Sequence, residues 1–146
     1  MVAHPSATSK PRARLHEVVV EHEVPFHDVD ALRVVWHGHY FKYFELARTR
    51  LLRSVGLDAG ELIGGRFQFV VIDSRCRHGG PLRYGDRMRI AAWFGDLHRR
   101  IHIAYEIWNT TLGRRAARGH TTLATLDREG GLLFATPPEV LRKIRG

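Results

Sequence analysis

The chain carries at residues 27–56 the stretch HDVDALRVVWHGHYFKYFELARTRLLRSVG, which constrains how the rest must fold. From Val34 to Val55, large apolar residues recur at helical spacing. They are Trp36, Tyr40, Tyr43, Phe44, Ala47, Leu51 and Val55. Gly56 follows where a left-handed helix cap is expected. The stretch therefore predicts a helix of about five turns, and its wide apolar face needs a cover.

The segments on either side of this helix have the alternating pattern of β-strands. Residues 15–26 place four apolar side chains on one face: Val18, Val20, Val24 and Phe26. Four further strands are predicted over residues 67–76, 87–94, 101–107 and 115–126. A short terminal helix is expected from Pro137-Pro138 to Ile144. Closely spaced strands predict an antiparallel sheet, and only the long helix is large enough to cover one of its faces.

Length and composition indicate one folded domain. The chain has 146 residues, of which 44% are hydrophobic, enough to build a core. Residues 1–14 are polar and contain two prolines, so they are predicted to form a flexible tail ahead of a domain at 15–146. No apolar run suits a secretion signal or a membrane span. The single Cys76 cannot form an internal disulfide and is expected to be buried and inert, which suits the cytoplasm.

The charge of the chain is strongly basic, with a net value of +8. Such a surface attracts nucleic acid, the phosphates of coenzyme A or an acidic carrier protein. Nucleic-acid binding would need a concentrated basic groove with stacking aromatics. The arginines are scattered along the sequence, and the aromatic residues fall mainly on apolar faces. No nucleic-acid partner is therefore expected.

Two carboxylates, Asp28 and Asp30, precede the predicted helix. Unpaired N–H groups at a helix N-terminus favour negative charge, so either aspartate could simply cap the helix. The same N–H groups could instead stabilise an oxygen that gains negative charge, while a carboxylate attacks a carbonyl or deprotonates water. Acyl transfer fits the second arrangement. Spacing alone does not decide between helix capping and catalysis.

Histidines near the helix start offer further chemistry. His37 and Tyr40 are three residues apart and would share a helix face. His37 and His39 would point apart on a helix, so they are not expected to chelate a metal. The remaining histidines have no ligand spacing, and no nucleotide or nucleophile motif is present. No metal or cofactor is expected.

These residues together resemble a known signature. The pattern Asp28-x-Asp30-Ala31-x-x-Val34-Val35-Trp36-His37-x-x-Tyr40, followed by Phe44-Glu45-x-Ala47-Arg48, is similar to that of the 4-hydroxybenzoyl-CoA thioesterase family. It is closest to the branch of Tol-Pal-associated acyl-CoA thioesterases. The resemblance implies an α+β hotdog fold, in which an antiparallel sheet wraps around one long helix. It also implies a homodimer or homotetramer with active sites at the subunit interface.

The resemblance assigns roles to individual residues. Asp30 matches the family's catalytic carboxylate, acting as general base or nucleophile, and Asp28 is expected to be structural. His37 is a catalytic candidate, and the substrate-binding candidates are Leu32, Arg33, Val34, Val35, Trp36 and Tyr40. Backbone N–H groups near Val35 and Trp36 are expected to bind the oxyanion. Family members commonly have glycines where this chain has Leu32 and Arg33, so an altered pocket entrance is expected.

The predicted function is hydrolysis of an acyl-CoA or acyl-carrier-protein thioester. The alternatives are a hotdog protein that binds acyl thioesters without turning them over, a dehydratase-like relative, and a nucleic-acid-binding module. Both the general-base and the nucleophile role of Asp30 fit the sequence, and several acyl chains fit it equally.

Overall fold

A computed structural model describes residues 13–58 and 65–146. These residues form five strands: β1 (Leu15–Glu23), β2 (Gln68–His78), β3 (Arg87–Phe94), β4 (Ile101–Asn109) and β5 (Arg114–Leu126). They also form two α-helices, α1 (His39–Ser54) and α2 (Pro138–Arg145). The strands make one antiparallel sheet in the order β1-β3-β4-β5-β2. The predicted α+β architecture is confirmed, while the tail predicted at residues 1–14 lies mostly outside the described residues.

Helix α1 begins five residues later than predicted, at His39 instead of Val34. Val34 forms a β-bridge with Arg83, and Val35 forms one with Val29. These pairings hold both valines in extended backbone, so their apolar spacing does not reflect a helix. The helix ends where expected, because Gly56 adopts the left-handed conformation with φ 74°.

The apolar face of α1 packs on the concave side of the sheet. Tyr40, Tyr43, Phe44, Ala47 and Leu51 are all buried there. The ring of Phe44 stacks on that of Tyr105 in β4, with centroids 4.4 Å apart and planes 7° apart. The other inward residues of β4 are likewise buried: Ile101, Ile103 and Ile107. This contact surface is the hydrophobic core that seats the helix.

Most of the predicted strand faces are confirmed, with one exception. Met88, Ile90, Ala92 and Phe94 share a buried face of β3. Phe26, predicted to face the core from the first strand, is 73% exposed. The reason is that β1 ends at Glu23, and Phe26 opens a short 3-10 turn that redirects the chain. The C-terminal helix is confirmed as α2, which buries Val140 and Ile144.

No helix within the described ranges has both the length and the apolar character needed to cross a membrane.

Gly119 in β5 is required by the close approach of the β2 backbone at Arg75 and of Phe44 in α1. A Cβ atom there would lie 2.7 Å from Cε2 of Phe44 and 2.2 Å from the carbonyl oxygen of Arg75. We expect Gly119→Ala to lower the free energy of unfolding by roughly 1–3 kcal/mol, the usual cost of overpacking. Urea denaturation would measure the loss. The control is Gly95→Ala, whose Cβ would meet its nearest atom at an ordinary 3.6 Å; equal stability of both variants would contradict the prediction.

Candidate active site

The segment with the two aspartates folds as a hairpin ahead of α1. The N–H of Asp30 donates to the carbonyl of Val34 at 2.9 Å, and the N–H of Trp36 donates to the carbonyl of Asp28 at 3.0 Å. Val29 and Val35 form the bridge between these two bonds. The hairpin fixes Asp30 at its turn and leads the chain directly into the start of the helix.

Asp30 is held through one carboxylate oxygen only. Its Oδ1 accepts the N–H of Leu32 at 2.8 Å, and its carbonyl accepts the N–H of Arg33 at 2.9 Å. Among the described residues, no group donates to Oδ2 of Asp30. Aspartate commonly bonds to the backbone two residues onward in turns. The side chain is therefore oriented by its own turn while one oxygen stays available for chemistry.

Arg33 adopts the left-handed conformation with φ 64°. This region costs an L-residue about 1 kcal/mol and favours glycine. Arg33 stands at one of the two positions where the resemblance leads one to expect glycine, so the turn keeps a glycine-like shape although the residue differs. Leu32 beside it is 80% exposed and extends from the tip of the hairpin.

Asp28 is buried and fully engaged. Its Oδ1 accepts Nζ of Lys42 at 2.5 Å, and its Oδ2 accepts the hydroxyl of Tyr43 at 2.6 Å. Burial opposes ionisation of this carboxyl, but the hydrogen bonds from Lys42 and Tyr43 outweigh it and lower the pKa of Asp28. An ionised group with both oxygens occupied suits the structural role expected for Asp28.

The backbone donors expected to bind an oxyanion are already in use. The N–H of Val35 donates to the carbonyl of Leu82 at 2.8 Å, and that of Trp36 donates to Asp28. The prediction for these two groups is therefore wrong, because both belong to β-like pairings instead of a helix end. Among the described residues, the N–H groups of His37 and Gly38 have no acceptor, and they lie at the actual start of α1.

The indole of Trp36 lies over this helix start. A Cβ at Gly38 would come within 2.3 Å of the Trp36 ring, so only glycine fits beneath it. The rings of His37 and His39 flank the indole at centroid distances of 5.1 and 5.3 Å. Trp36 is 47% exposed, which places it on the surface beside the two unpaired N–H groups and not in the core.

His78, at the end of β2, is a neighbour that the sequence did not reveal. Its ring makes an edge-to-face contact with buried Tyr40 at 4.5 Å. Burial, and then the nearby charge of His37, lowers the pKa of His78. Burial raises the pKa of Tyr40 to about 12 and that of half-buried Cys76 to about 11, so both stay neutral at pH 7. Cys76, predicted to be buried and inert, is only partly buried, and its raised pKa keeps the thiol protonated at pH 7.

The predicted site residues thus fall into two groups. Asp30, Leu32 and Arg33 form the hairpin turn, while the rest surround the helix start: Val34, Val35, Trp36, His37 and Tyr40. No hydrogen bond or ion pair in the described part of the chain joins Asp30 to His37. His37 and Tyr40 do not share a helix face, because His37 precedes α1. Within residues 13–58 and 65–146 no cluster of three metal-ligating side chains occurs.

A cavity of about 460 Å³ lies between α1 and β2. Its lining is mainly apolar, with Leu52, Leu57, Phe69, Val71 and Leu123. Glu45 and Arg48 form its polar side. Among nearby aromatic residues, Phe69 lines this cavity, Phe44 belongs to the core and Phe41 is 41% exposed.

Several known proteins are similar to this chain in sequence or in structure. The profile of the thioesterase-like superfamily matches residues 24–144. A protein of Aquifex aeolicus, provisionally named an esterase, is 26% identical over 87% of this chain and 97% of its own. The acyl-CoA thioester hydrolase YbgC of Escherichia coli is 34% identical over 46% of this chain and 50% of its own. The solved structure of a 1,4-dihydroxy-2-naphthoyl-CoA thioesterase from Synechocystis superposes on this chain with a TM-score of 0.75. The match covers 88% of this chain and 96% of the Synechocystis chain at 21% sequence identity. The two proteins therefore share the hotdog fold.

The buried Asp28 contacts predict a pH-dependent loss of stability. We expect Asp28→Asn to lower the free energy of unfolding by roughly 1–3 kcal/mol at pH 7, because Lys42 loses its buried anionic acceptor. The folded pKa is lowered, so this contribution is full above the ordinary aspartate pKa of about 3.9 and is lost as pH falls through the folded value. Wild type and variant should therefore converge in acid.

Urea titrations at a series of pH values would measure the effect. The control is Asp58→Asn, which removes an exposed ion pair with Arg53 and should cost less than about 1 kcal/mol. A difference between wild type and Asp28→Asn that stays constant into acid would contradict the assignment.

Proposed function

Because the chain belongs to the thioesterase-like superfamily, we propose that it hydrolyses acyl-CoA thioesters with Asp30 as the catalytic carboxylate. The observation that carries the proposal is the contrast between the two aspartates. Asp28 is buried with both oxygens bonded, whereas Asp30 keeps Oδ2 unengaged on the hairpin that leads into a helix start with two unpaired N–H groups. A base or nucleophile needs an available lone pair.

The N–H groups of His37 and Gly38 are the proposed oxyanion donors. They lie at the positive end of the dipole of α1, where negative charge is stabilised. As the thioester carbonyl is attacked, its oxygen gains negative charge and accepts these donors. His37 and Tyr40 remain proposed site residues, with the His37 imidazole orienting or assisting at the helix start.

Two routes are compatible with Asp30. As a general base, Asp30 takes a proton from water, the hydroxide adds to the carbonyl, and the thiolate leaves as the C–S bond breaks. As a nucleophile, Asp30 displaces the thiolate to give an acyl-enzyme anhydride, which water then hydrolyses to the free acid and the carboxylate. In both routes the proton taken from water protonates the thiolate and Asp30 returns to the carboxylate, so each route consumes one water and releases one acid and one thiol.

The acyl group is proposed to extend into the cavity between α1 and β2. The cavity begins near Glu45, about 9 Å along the helix axis from His39 at 1.5 Å per residue. An acetyl group would not reach it, whereas a longer or aromatic acyl group would bury apolar surface there. We therefore expect longer acyl groups to be preferred to acetyl.

A second copy of the chain is the proposed partner, paired along the edge of the sheet. Among the described strands, β2 is last in the sheet order and pairs with β5 alone. Its segment Val70, Val71 and Ile72 is 37%, 43% and 52% exposed. A long apolar edge strand is a template for strand pairing. The measurement of molecular mass described below distinguishes such a dimer from a tetramer made of two of them.

Replacement of Asp30 tests the catalytic role. We expect Asp30→Asn to lower thiol release from acyl-CoA thioesters by two orders of magnitude or more, because the amide cannot act as base or nucleophile. The measurement is thiol release from a panel of short, long and aromatic acyl-CoA thioesters.

The matched control is Asp96→Asn. Asp96 makes the same turn bond, from the N–H of His98 to Oδ1 at 2.8 Å, and Arg99 follows with φ 65°. It should keep wild-type turnover. Equal turnover by wild type and Asp30→Asn would exclude the role. Tight binding of acyl-CoA by wild type without thiol release would instead favour a binding-only protein.

The edge pairing predicts a change in mass. We expect Ile72→Lys to shift the protein from dimer to monomer in light scattering after gel filtration, because a charge would be placed in the paired edge. Leu132→Lys, which alters a residue that is 60% exposed outside β2, should leave the mass unchanged. An unchanged mass for Ile72→Lys would rule out this interface.

A further inference from the structure

The face of the sheet opposite α1 carries a basic trough at the β2–β5 pair. The Cβ direction of Gly119 points at Phe44, so its neighbours Arg118 and His120 point away from the helix. Cys76 is paired with Gly119, so Arg75 and Arg77 also point away. They line a trough of about 600 Å³ whose other charged lining residues are Arg14, Arg115 and Glu106.

Within the trough, two arginines stand directly opposite each other, because Arg77 is the register partner of Arg118. Opposite residues in an antiparallel pair have Cβ atoms only about 5 Å apart, and like charges there are destabilising. Arg75 stands opposite His120 in the same pair of strands. The β2–β5 pair therefore holds two guanidinium groups close together on the face opposite α1.

The acids nearby are already committed to other cations. Glu106 pairs with Arg14 at 3.5 Å and with Arg115 at 3.4 Å. Asp73 pairs with Arg75 at 3.6 Å and with His120 at 3.5 Å. Among the described residues, neither Arg77 nor Arg118 forms an ion pair, although Glu106, which already pairs with two other arginines, lies opposite Arg118 in β4. A cleft with an excess of one charge focuses its field on an incoming ion, so this pair offers a place for an anion.

The trough is next to the candidate active site across the end of one strand. His78 contacts Tyr40 at the start of α1, and Arg77, the preceding residue, points to the opposite face. Beyond His78 come Gly79 and Gly80, which have no side chains of their own at this corner of the sheet, although the guanidinium group of Arg114 lies close to Gly80. A narrow, flexible arm such as the pantetheine of coenzyme A can pass over these glycines, beside Arg114, from the helix start to the trough.

We propose that Arg77 and Arg118, with Arg75 and Arg115 beside them, bind the phosphate groups of the coenzyme A moiety of the substrate. The inference rests on the proposed thioesterase function, because that function places the thioester at Asp30. The pantetheine arm of coenzyme A would then cross Gly79 and Gly80 toward the trough. Guanidinium groups bind phosphate oxygens through paired N–H donors. These four arginines lie on two neighbouring strands, which suits clustered phosphates on a small molecule. A docked carrier protein would need about 800 Å² on each partner.

The test compares two thioesters of one acyl group. One is the coenzyme A thioester, and the other is the N-acetylcysteamine thioester, which has the same reacting bond and no phosphate. We expect Arg77→Gln and Arg118→Gln each to raise KM for the coenzyme A thioester roughly tenfold, the scale of one charge-assisted hydrogen bond. Turnover of the N-acetylcysteamine thioester should stay at the wild-type rate. Since Arg77 faces Arg118 across β2–β5, Arg77→Gln should not weaken the fold.

The matched control is Arg128→Gln, which removes the same charge from an exposed position past the far end of β5. That end, Leu126, is about 25 Å along the strand from Arg118. An unchanged KM for the coenzyme A thioester in both trough variants would overturn the inference and leave the thioesterase function standing. A rise confined to the thioester of a phosphopantetheinyl carrier protein would also overturn it, in favour of a protein-docking surface.

Calorimetry with free coenzyme A decides the question without turnover. We expect wild type and Arg128→Gln to bind coenzyme A alike, and the Arg77→Gln/Arg118→Gln double variant to bind it at least tenfold more weakly. Equal binding by all three would reject the phosphate site. If wild type hydrolysed neither thioester, the proposed function would fail, and this binding comparison would still accept or reject the site.

Discussion

The buried carboxylate of Asp28 is the interaction on which the candidate site depends. It accepts hydrogen bonds from Lys42 and Tyr43 on consecutive positions of α1, and its own carbonyl accepts the N–H of Trp36. One residue thus ties the hairpin to the helix by both side chain and backbone. The position of Asp30 relative to the start of α1 follows from that connection, as does the exposure of the N–H groups that precede the helix.

Local turn chemistry explains much of the geometry at Asp30. The same bond from an aspartate oxygen to the N–H two residues onward recurs at Asp96 and Asp127. Each of the three turns contains a residue with positive φ: Arg33, Arg99 and Gly130. The turn alone therefore does not distinguish a catalytic aspartate. What distinguishes Asp30 is that its turn leads into a helix start with unpaired N–H groups.

Sequence patterns predicted the features that depend on neighbours along the chain. The end of α1 at Gly56, the buried face of β3 and the terminal helix follow from local spacing and cap residues, so they could be read directly. The start of α1 could not, because Val34 and Val35 are held extended by Arg83, Val29 and Leu82. The contact between His78 and Tyr40, and the pairing of Arg77 with Arg118, depend on where β2 lies in the sheet. No local pattern encodes that register.

The hairpin that carries Asp30 is fixed by several bonds before any substrate arrives. The left-handed backbone of Arg33 is enforced by the bonds from Leu32 and Arg33 to Asp30 and by the pairing of Asp30 with Val34. The conformational entropy of this loop is consequently lost when the chain folds and not when a ligand binds. In the proposed catalytic role, a carboxylate oriented in advance would require little reorganisation on the way to the transition state, so a small strain in the resting protein would accompany a lower barrier.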